Sequence, residues 1–138
     1  MMNTNIKYEF LENFFGGSAV SGPQVEGAAK EGGRKPSIWD YWYEKEPNRF
    51  FQEVGPENTS NFYYQYKEDI QLMKQTGHNS FRTSIKWSRL IPDEIGEVNQ
   101  EAVEFYNNII NELIENGIEP FITLFHFDMP MCMQEKGR

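Results

Sequence analysis

YKEDIQLMKQTGHNSFRTSIKWSRLIP, residues 66–92, holds a helix, a glycine stop and a strand in one run. Phe62, Tyr66, Ile70 and Met73 fall at helical spacing and make a buried stripe. Thr59 or Ser60 is expected to cap the start of this helix, and Gly77 to take the left-handed conformation past its end. Phe81, Thr83, Ile85 and Trp87 then alternate with Arg82, Ser84 and Lys86, which predicts a strand with one polar face. The pattern recurs downstream. A second helix is expected from about Gln100 to Asn116, with Ala102, Phe105, Tyr106, Ile109, Ile110 and Leu113 on its apolar side and Gly117 as its stop. A strand from Pro120 to Phe125 follows, so Met73–Ile85 and Leu113–Phe125 read as successive turns of one repeating unit.

Upstream, Phe14 to Ser21 reads as a short buried strand ending at Gly22-Pro23. Ala28 to Glu57 is rich in Gly, Pro and charge around an aromatic knot of Trp39, Tyr41, Trp42 and Tyr43, and loops of that length are usually functional or locally structured. The order β, long loop, α, β, α, β implies a parallel sheet with right-handed crossovers. A doubly wound sheet serving a nucleotide would be expected to carry G-x-G-x-x-G or a P-loop after strand one, and GGSAVSG at 16–22 is neither. An eight-stranded barrel needs no such loop and places its site at the C-terminal ends of its strands, where the polar and aromatic residues of this chain lie. The expected fold class is α/β, a (β/α)8 TIM barrel. About three of its strands and two of its helices are present, and residues 1–138 form the amino-terminal part of one incomplete barrel domain.

Net charge is −8, and no stripe of Lys or Arg runs through the sequence, which argues against nucleic acid. Aromatic residues make up 15%, more than core filling usually needs, and aromatic faces commonly line sugar sites. One cysteine excludes an internal disulfide framework, and Met1 to Asn5 lack the apolar stretch of a signal peptide. No run approaches the roughly 20 apolar residues of a membrane helix. A cytoplasmic setting without membrane attachment is the simplest expectation.

Three places carry ligand chemistry. Gln24, just past strand one, offers an amide donor and a carbonyl acceptor, both of which a sugar hydroxyl needs, although a glutamine there more often satisfies loop backbone. Arg82, within strand two, points into the barrel or out toward the helices, and in either place it needs a partner, normally a carboxylate. FHFDMP at 125–130 places His126 directly after a buried strand, with an aromatic, an acid and a strand-ending proline behind it, the make-up of a binding-site rim. No metal is expected, since the other histidine, His78, stands at a helix exit and Cys132 has no partner at ligand spacing. No cofactor is expected either.

SGPQVEG at 21–27, KPSIWDYW at 35–42, residues 66–92 and IEPFITLFHFDMP at 118–130 together resemble glycoside hydrolase family 1, the β-glucosidases and 6-phospho-β-glycosidases, from about Phe10 onward. The resemblance implies that Gln24 and His126 bind hydroxyls of the non-reducing sugar. It also implies that Arg82 contacts and orients the catalytic nucleophile. Trp39, Trp87 and Arg89 match framework positions. Many members carry tryptophan where this chain has Phe127, and phenylalanine keeps the stacking face but loses the indole donor. The HFD form resembles the branch acting on 6-phosphorylated β-glucosides or β-galactosides, so Phe127 joins the expected substrate-binding residues.

Members hydrolyse β-glycosides with retention through two glutamates roughly 5 Å apart. The resemblance places one in an Asn-Glu-Pro segment after strand four and the other in an Asn-Gly-flanked segment after strand seven, and neither segment occurs in these 138 residues. Glu26, Glu53, Glu57 and Glu135 match neither motif. The chain is therefore expected to be a truncated gene product, inactive by itself, of a 6-phospho-β-glucosidase in cytoplasmic carbohydrate catabolism whose full length could assemble into a homo-oligomer. The alternatives are an unphosphorylated β-glucosidase and a non-catalytic sugar- or phosphosugar-binding module. A nucleotide-binding open sheet is the poorest fit.

Overall fold

A computed structural model of the chain describes residues 8–93 and 96–136. The outermost ends of the expected domain, and the Met1–Asn5 start, lie outside the described residues. In chain order the elements are β1 (Gly17–Ala19), α1 (Gly22–Val25), α2 (Ile38–Lys45), two single 3-10 turns (Pro47–Arg49 and Phe51–Glu53), α3 (Phe62–Gln75), β2 (Ser80–Ser84), α4 (Trp87–Leu90), α5 (Gln100–Glu115), β3 (Glu119–Thr123) and α6 (Met131–Glu135). The strands form one parallel sheet in the order β1-β2-β3. Gly17 pairs with Ser80, and Ser80 with Glu119, so register advances without a slip.

The two helix exits are the same motif. Past α3, His78 N–H donates to Met73 O at 3.0 Å and Gly77 N–H to Lys74 O at 3.1 Å, with Gly77 at φ 82°. Past α5, Ile118 N–H donates to Leu113 O at 2.9 Å and Gly117 N–H to Ile114 O at 3.0 Å, with Gly117 at φ 73°. Each is a Schellman ending, which satisfies the last helical carbonyls and turns the chain back into the sheet. The repeating unit expected from the sequence is thus realised down to its hydrogen bonds.

Phe81 and Thr83 of β2 face α3 and α5, where the core of Phe62, Ile70, Ala102, Phe105, Tyr106, Ile109, Leu113 and Ile118 is sealed from water. The opposite sheet face carries Arg82, Ser84 and, just beyond the strand, Lys86, which settles the direction of Arg82 toward the barrel interior. Phe121 on the same face of β3 is 43% exposed and Leu124 beyond it 69% exposed. β1 and β3 are the outer strands of the sheet.

Several boundaries differ from expectation. β1 is three residues long rather than Phe14–Ser21, because Phe14 N–H closes a turn onto Leu11 O at 2.9 Å. β2 stops at Ser84 and Trp87 opens α4, since Lys86 N–H is taken by the Tyr106 hydroxyl at 2.9 Å and Lys86 O receives Arg89 and Leu90 N–H. β3 ends at Thr123, and Leu124 O accepts the Trp87 indole at 2.6 Å. Neither Thr59 nor Ser60 caps α3; that place belongs to Asn61 in the left-handed region, φ 57° and ψ 29°. Helices number six among the described residues rather than two, because α2 folds the long loop and α6 follows Pro130.

Asn99 caps α5 and does more than cap. Its side chain accepts Glu101 N–H at 3.2 Å and donates to Gly32 O at 2.7 Å and Arg89 O at 3.1 Å, tying the long loop to the helix start. Asn99→Ala is expected to lower stability by about 1–2 kcal/mol. Urea unfolding followed by circular dichroism measures it, and a loss within 0.3 kcal/mol or so of zero would show the contacts to be idle.

Candidate functional site

A cleft of ≈ 370 Å³ opens at the C-terminal end of the sheet between α1, the long loop and the exit of β3. Ser21, Gln24, Trp39, Lys86, His126 and Phe127 are among its lining residues, so all three residues expected to bind substrate meet at one cleft. A larger depression of ≈ 720 Å³ lies between α2 and α6 beside Tyr41, Tyr43 and Cys132 and holds none of them.

The long loop is pinned where it forms the cleft wall. Ile38 N–H donates to Met129 O at 3.0 Å and Met131 N–H to Pro36 O at 2.9 Å, with Ser37 and Pro130 in an antiparallel bridge. The Asp40 carboxylate at the head of α2 accepts Ser37 N–H at 2.7 Å and Ser37 Oγ–H at 2.6 Å, and pairs with Arg34. Burial would raise the Asp40 pKa, but the Arg34 cation and the Ser37 donors outweigh it and hold the carboxyl below its ordinary value. The Trp39 indole donates to Phe127 O at 2.6 Å, across 88 residues of sequence. Phe127 sits at φ +55°, unfavourable for a side chain of its size, and is 70% exposed with its ring edge-on to His126 at 5.5 Å. Ring and strained backbone are thus presented to the cleft and fastened by Trp39.

Gln24 and His126 are oriented from behind. Ser21 Oγ–H donates to Gln24 Oε1 at 2.9 Å, which leaves the amide N–H pair for a ligand. Arg82 Nη2 stands 3.4 Å from His126 Nδ1. A guanidinium can only donate, so Nδ1 accepts and the ring proton sits on Nε2. The other Arg82 donors reach Thr123 Oγ1 at 2.8 Å and Val20 O at 3.1 Å. Arg82 was expected to meet a carboxylate; its partners among the described residues are neutral acceptors. It is half-buried, so complete charge compensation is not demanded of the protein around it.

Beneath the cleft lies a charged network that sequence reasoning missed. Arg89 and Glu26 are both buried and pair at 3.1 Å. Glu26 Oε1 accepts the Tyr106 hydroxyl at 2.8 Å, Arg89 also donates to Glu31, Ala28 and Gly27 carbonyls, and its guanidinium stacks 4.3 Å over the Tyr63 ring. Burial, and then the Glu26 carboxylate, push the Tyr106 hydroxyl well above its ordinary pKa. Burial likewise raises Asp128, whose Oδ1 accepts His126 N–H at 3.3 Å. The signal available in the sequence was Glu26 inside SGPQVEG, an acid in a stretch without any other charge.

Lys86 is 1% exposed and its ammonium has no hydrogen-bond partner among the described residues. Burial, and then repulsion from Arg34, lower its pKa to about 8. Below pH 8 the folded state bears the full cost of the buried charge; from pH 8 upward the folded protein sheds that proton before the unfolded chain does, so stability rises with pH. Above about pH 10 ionisation of tyrosines in the unfolded chain opposes the trend. Between pH 8 and 10 the chain is expected to gain stability, and Lys86→Met to be both more stable at pH 7 and flat across that window. Guanidinium unfolding at four pH values decides it, and a wild-type profile as flat as that of the variant would refute the assignment.

Among the described residues no group of three His, Cys, Asp or Glu side chains is arranged to hold a metal ion, and no helix is long and apolar enough to cross a membrane. The sequence profile of Glycosyl hydrolase family 1 matches residues 6–138. The chain is 62% identical over 131 residues to the 6-phospho-beta-glucosidase GmuD of Bacillus subtilis (strain 168), covering 95% of this chain and 28% of that protein. Its fold superposes on the crystal structure of the GH1 beta-glucosidase from Exiguobacterium antarcticum B7 with a TM-score of 0.88 and 40% identity, over 94% of this chain and 29% of that one. The AHE enzyme from Alicyclobacillus herbarius superposes at a TM-score of 0.90 and 35% identity, over 97% and 30%. The chain therefore spans less than a third of the length of each of these proteins.

Proposed function

Because the chain belongs to glycosyl hydrolase family 1 and has the fold of the first three strands of its (β/α)8 barrel, we propose that it supplies the sugar-binding opening of a retaining β-glycosidase acting on 6-phospho-β-glucosides. The observation that carries this reading is the single cleft that gathers Gln24, His126 and Phe127 at the strand ends. Gln24 and His126 present N–H donors to sugar hydroxyls, and Phe127 offers an aromatic face to the ring or aglycone. Arg82 stands behind His126 on the inner sheet face, ready to pair with a carboxylate contributed by later strands. The identity of 62% to a 6-phospho-beta-glucosidase supports the phosphorylated substrate.

In this reading residues 1–138 belong to one barrel domain, the catalytic glutamates come from segments outside this sequence, and the chain alone does not turn over. The substrate arises inside the cell, which makes the cytoplasm the place of work. Fusing the chain to the remainder of the Bacillus subtilis enzyme tests all of this. The fusion is expected to hydrolyse nitrophenyl 6-phospho-β-glucoside, and the chain alone to give buffer rates. Preference of the fusion for the unphosphorylated glucoside would overturn the substrate; turnover by the isolated chain would overturn the division of labour.

A further inference from the structure

Phe127 holds a backbone conformation that its own side chain opposes. At φ +55° a glycine would rest without strain, whereas a phenylalanine must be kept there by its surroundings, and positions of this kind gather at functional sites. Two contacts brace the turn from opposite sides. Asp128, buried beneath it, accepts His126 N–H at 3.3 Å, and Trp39, from the start of α2, donates its indole N–H to Phe127 O at 2.6 Å. Trp39 is itself seated by the long loop. The Ile38 N–H before it is bonded to Met129 O at 3.0 Å, and its ring rests on Trp42 at 5.5 Å, which in turn meets Phe50 at 5.1 Å.

From this arrangement we propose that Trp39 is a positioning residue for sugar binding, acting on the substrate through Phe127, whose ring it sets by holding the Phe127 carbonyl. The inference rests on the reading of the cleft as a sugar site and adds the residue that decides where the aromatic wall of that site stands. The indole fixes the peptide plane that follows Phe127, and with it the left-handed turn from which the ring projects. Water in place of the indole would satisfy the carbonyl without directing it. The effect is confined to Phe127, because His126 is held separately, its N–H by Asp128 and its ring Nδ1 by Arg82 at 3.4 Å. Trp39 also lines the cleft, so direct contact with the substrate is the competing role, and the two roles predict different couplings to Phe127.

In the fusion with the Bacillus subtilis enzyme, Trp39→Phe keeps a ring against Trp42 and removes the donor. It is expected to lower kcat/KM for nitrophenyl 6-phospho-β-glucoside about tenfold, chiefly through KM, the scale of a lost hydrogen bond together with a relaxed backbone. Phe127→Gly is expected to lower kcat/KM as well, and in that background Trp39→Phe to cost less than about twofold, since no ring is left to place. Equal losses in both backgrounds mean that Trp39 touches the substrate itself, and an unchanged kcat/KM in Trp39→Phe means an idle contact. Either result overturns the proposal and leaves the sugar reading standing. Phe127→Gly without effect overturns both the wall assigned to Phe127 and the role of Trp39 behind it. A second measurement needs no substrate. In the 138-residue chain the one-bond Cα–Hα coupling of Phe127, which differs between positive and negative φ, is expected to change in Trp39→Phe while the nitrogen-15 shifts of His126 stay as in wild type. A coupling that does not move, or changes at both residues as in a general loosening of the turn, overturns the proposal even where the fusion fails to hydrolyse the substrate.

Discussion

Arg89→Met is expected to destabilise the chain by about 3–5 kcal/mol, enough to unfold a domain of ordinary marginal stability. The figure follows from what the substitution strands. Glu26, 2% exposed, would keep its charge in a site closed to water, with the Tyr106 hydroxyl as its remaining side-chain hydrogen-bond donor among the described residues. Three loop carbonyls, at Gly27, Ala28 and Glu31, would lose their donor together, and the Tyr63 ring would lose the cation over its face. A buried pair costs much to desolvate, so intact it adds little net stability; its half-removal is what costs. The double variant Glu26→Gln with Arg89→Met is therefore expected to be more stable than Arg89→Met alone. Urea unfolding of wild type, both singles and the double completes the cycle. A double variant that is the sum of its singles would show that the two groups do not act as a pair.

That network also shows where sequence reading reached its limit. The helix stripes of Phe62 to Met73 and Ala102 to Leu113 were legible because burial repeats at a fixed period, and Gly77 and Gly117 because only glycine readily takes the left-handed turn each exit needs. Gln24, His126 and Phe127 were legible because they follow strands, and parallel strands deliver their C-terminal ends to one edge. Glu26, Lys86, Arg89 and Asp128 gave no such signal. Charged residues are ordinarily solvated, and these four are buried by long-range contacts, such as those of Arg89 with the Gly27, Ala28 and Glu31 carbonyls, that no local period encodes. α2 was hidden for the same reason. Its start, Ser37 with Asp40 three residues on, is a capping pattern in plain view, but the surrounding Gly, Pro and charge read as loop. The alternation through Trp87 misled because period two continues past Ser84, while Tyr106 from α5 claims the N–H that would have extended the strand.

Arg82 gives the largest expected effect on chemistry. Its only route to the cleft among the described residues is His126, where Nη2 meets Nδ1 at 3.4 Å and holds the ring proton on Nε2, the nitrogen left for a sugar hydroxyl. Arg82→Met removes the donor that fixes this tautomer and, in the fusion with the Bacillus subtilis barrel, a positive charge on the inner face where an anionic nucleophile is proposed to sit. The first loss alone is a hydrogen bond, worth about tenfold; the second is electrostatic and falls on the transition state, so kcat/KM is expected to drop about a hundredfold or more, mostly in kcat. Arg82→Lys is not expected to restore it. A lysine carries the charge but not the fork that reaches Thr123 Oγ1, Val20 O and His126 at once. The two losses separate by spectroscopy. Nitrogen-15 shifts of His126 in the 138-residue chain are expected to report one tautomer in wild type and a mixture in Arg82→Met, without any barrel attached. Unchanged shifts with a lost kcat would leave Arg82 acting on the nucleophile only, and unchanged kcat with altered shifts would confine it to holding the histidine.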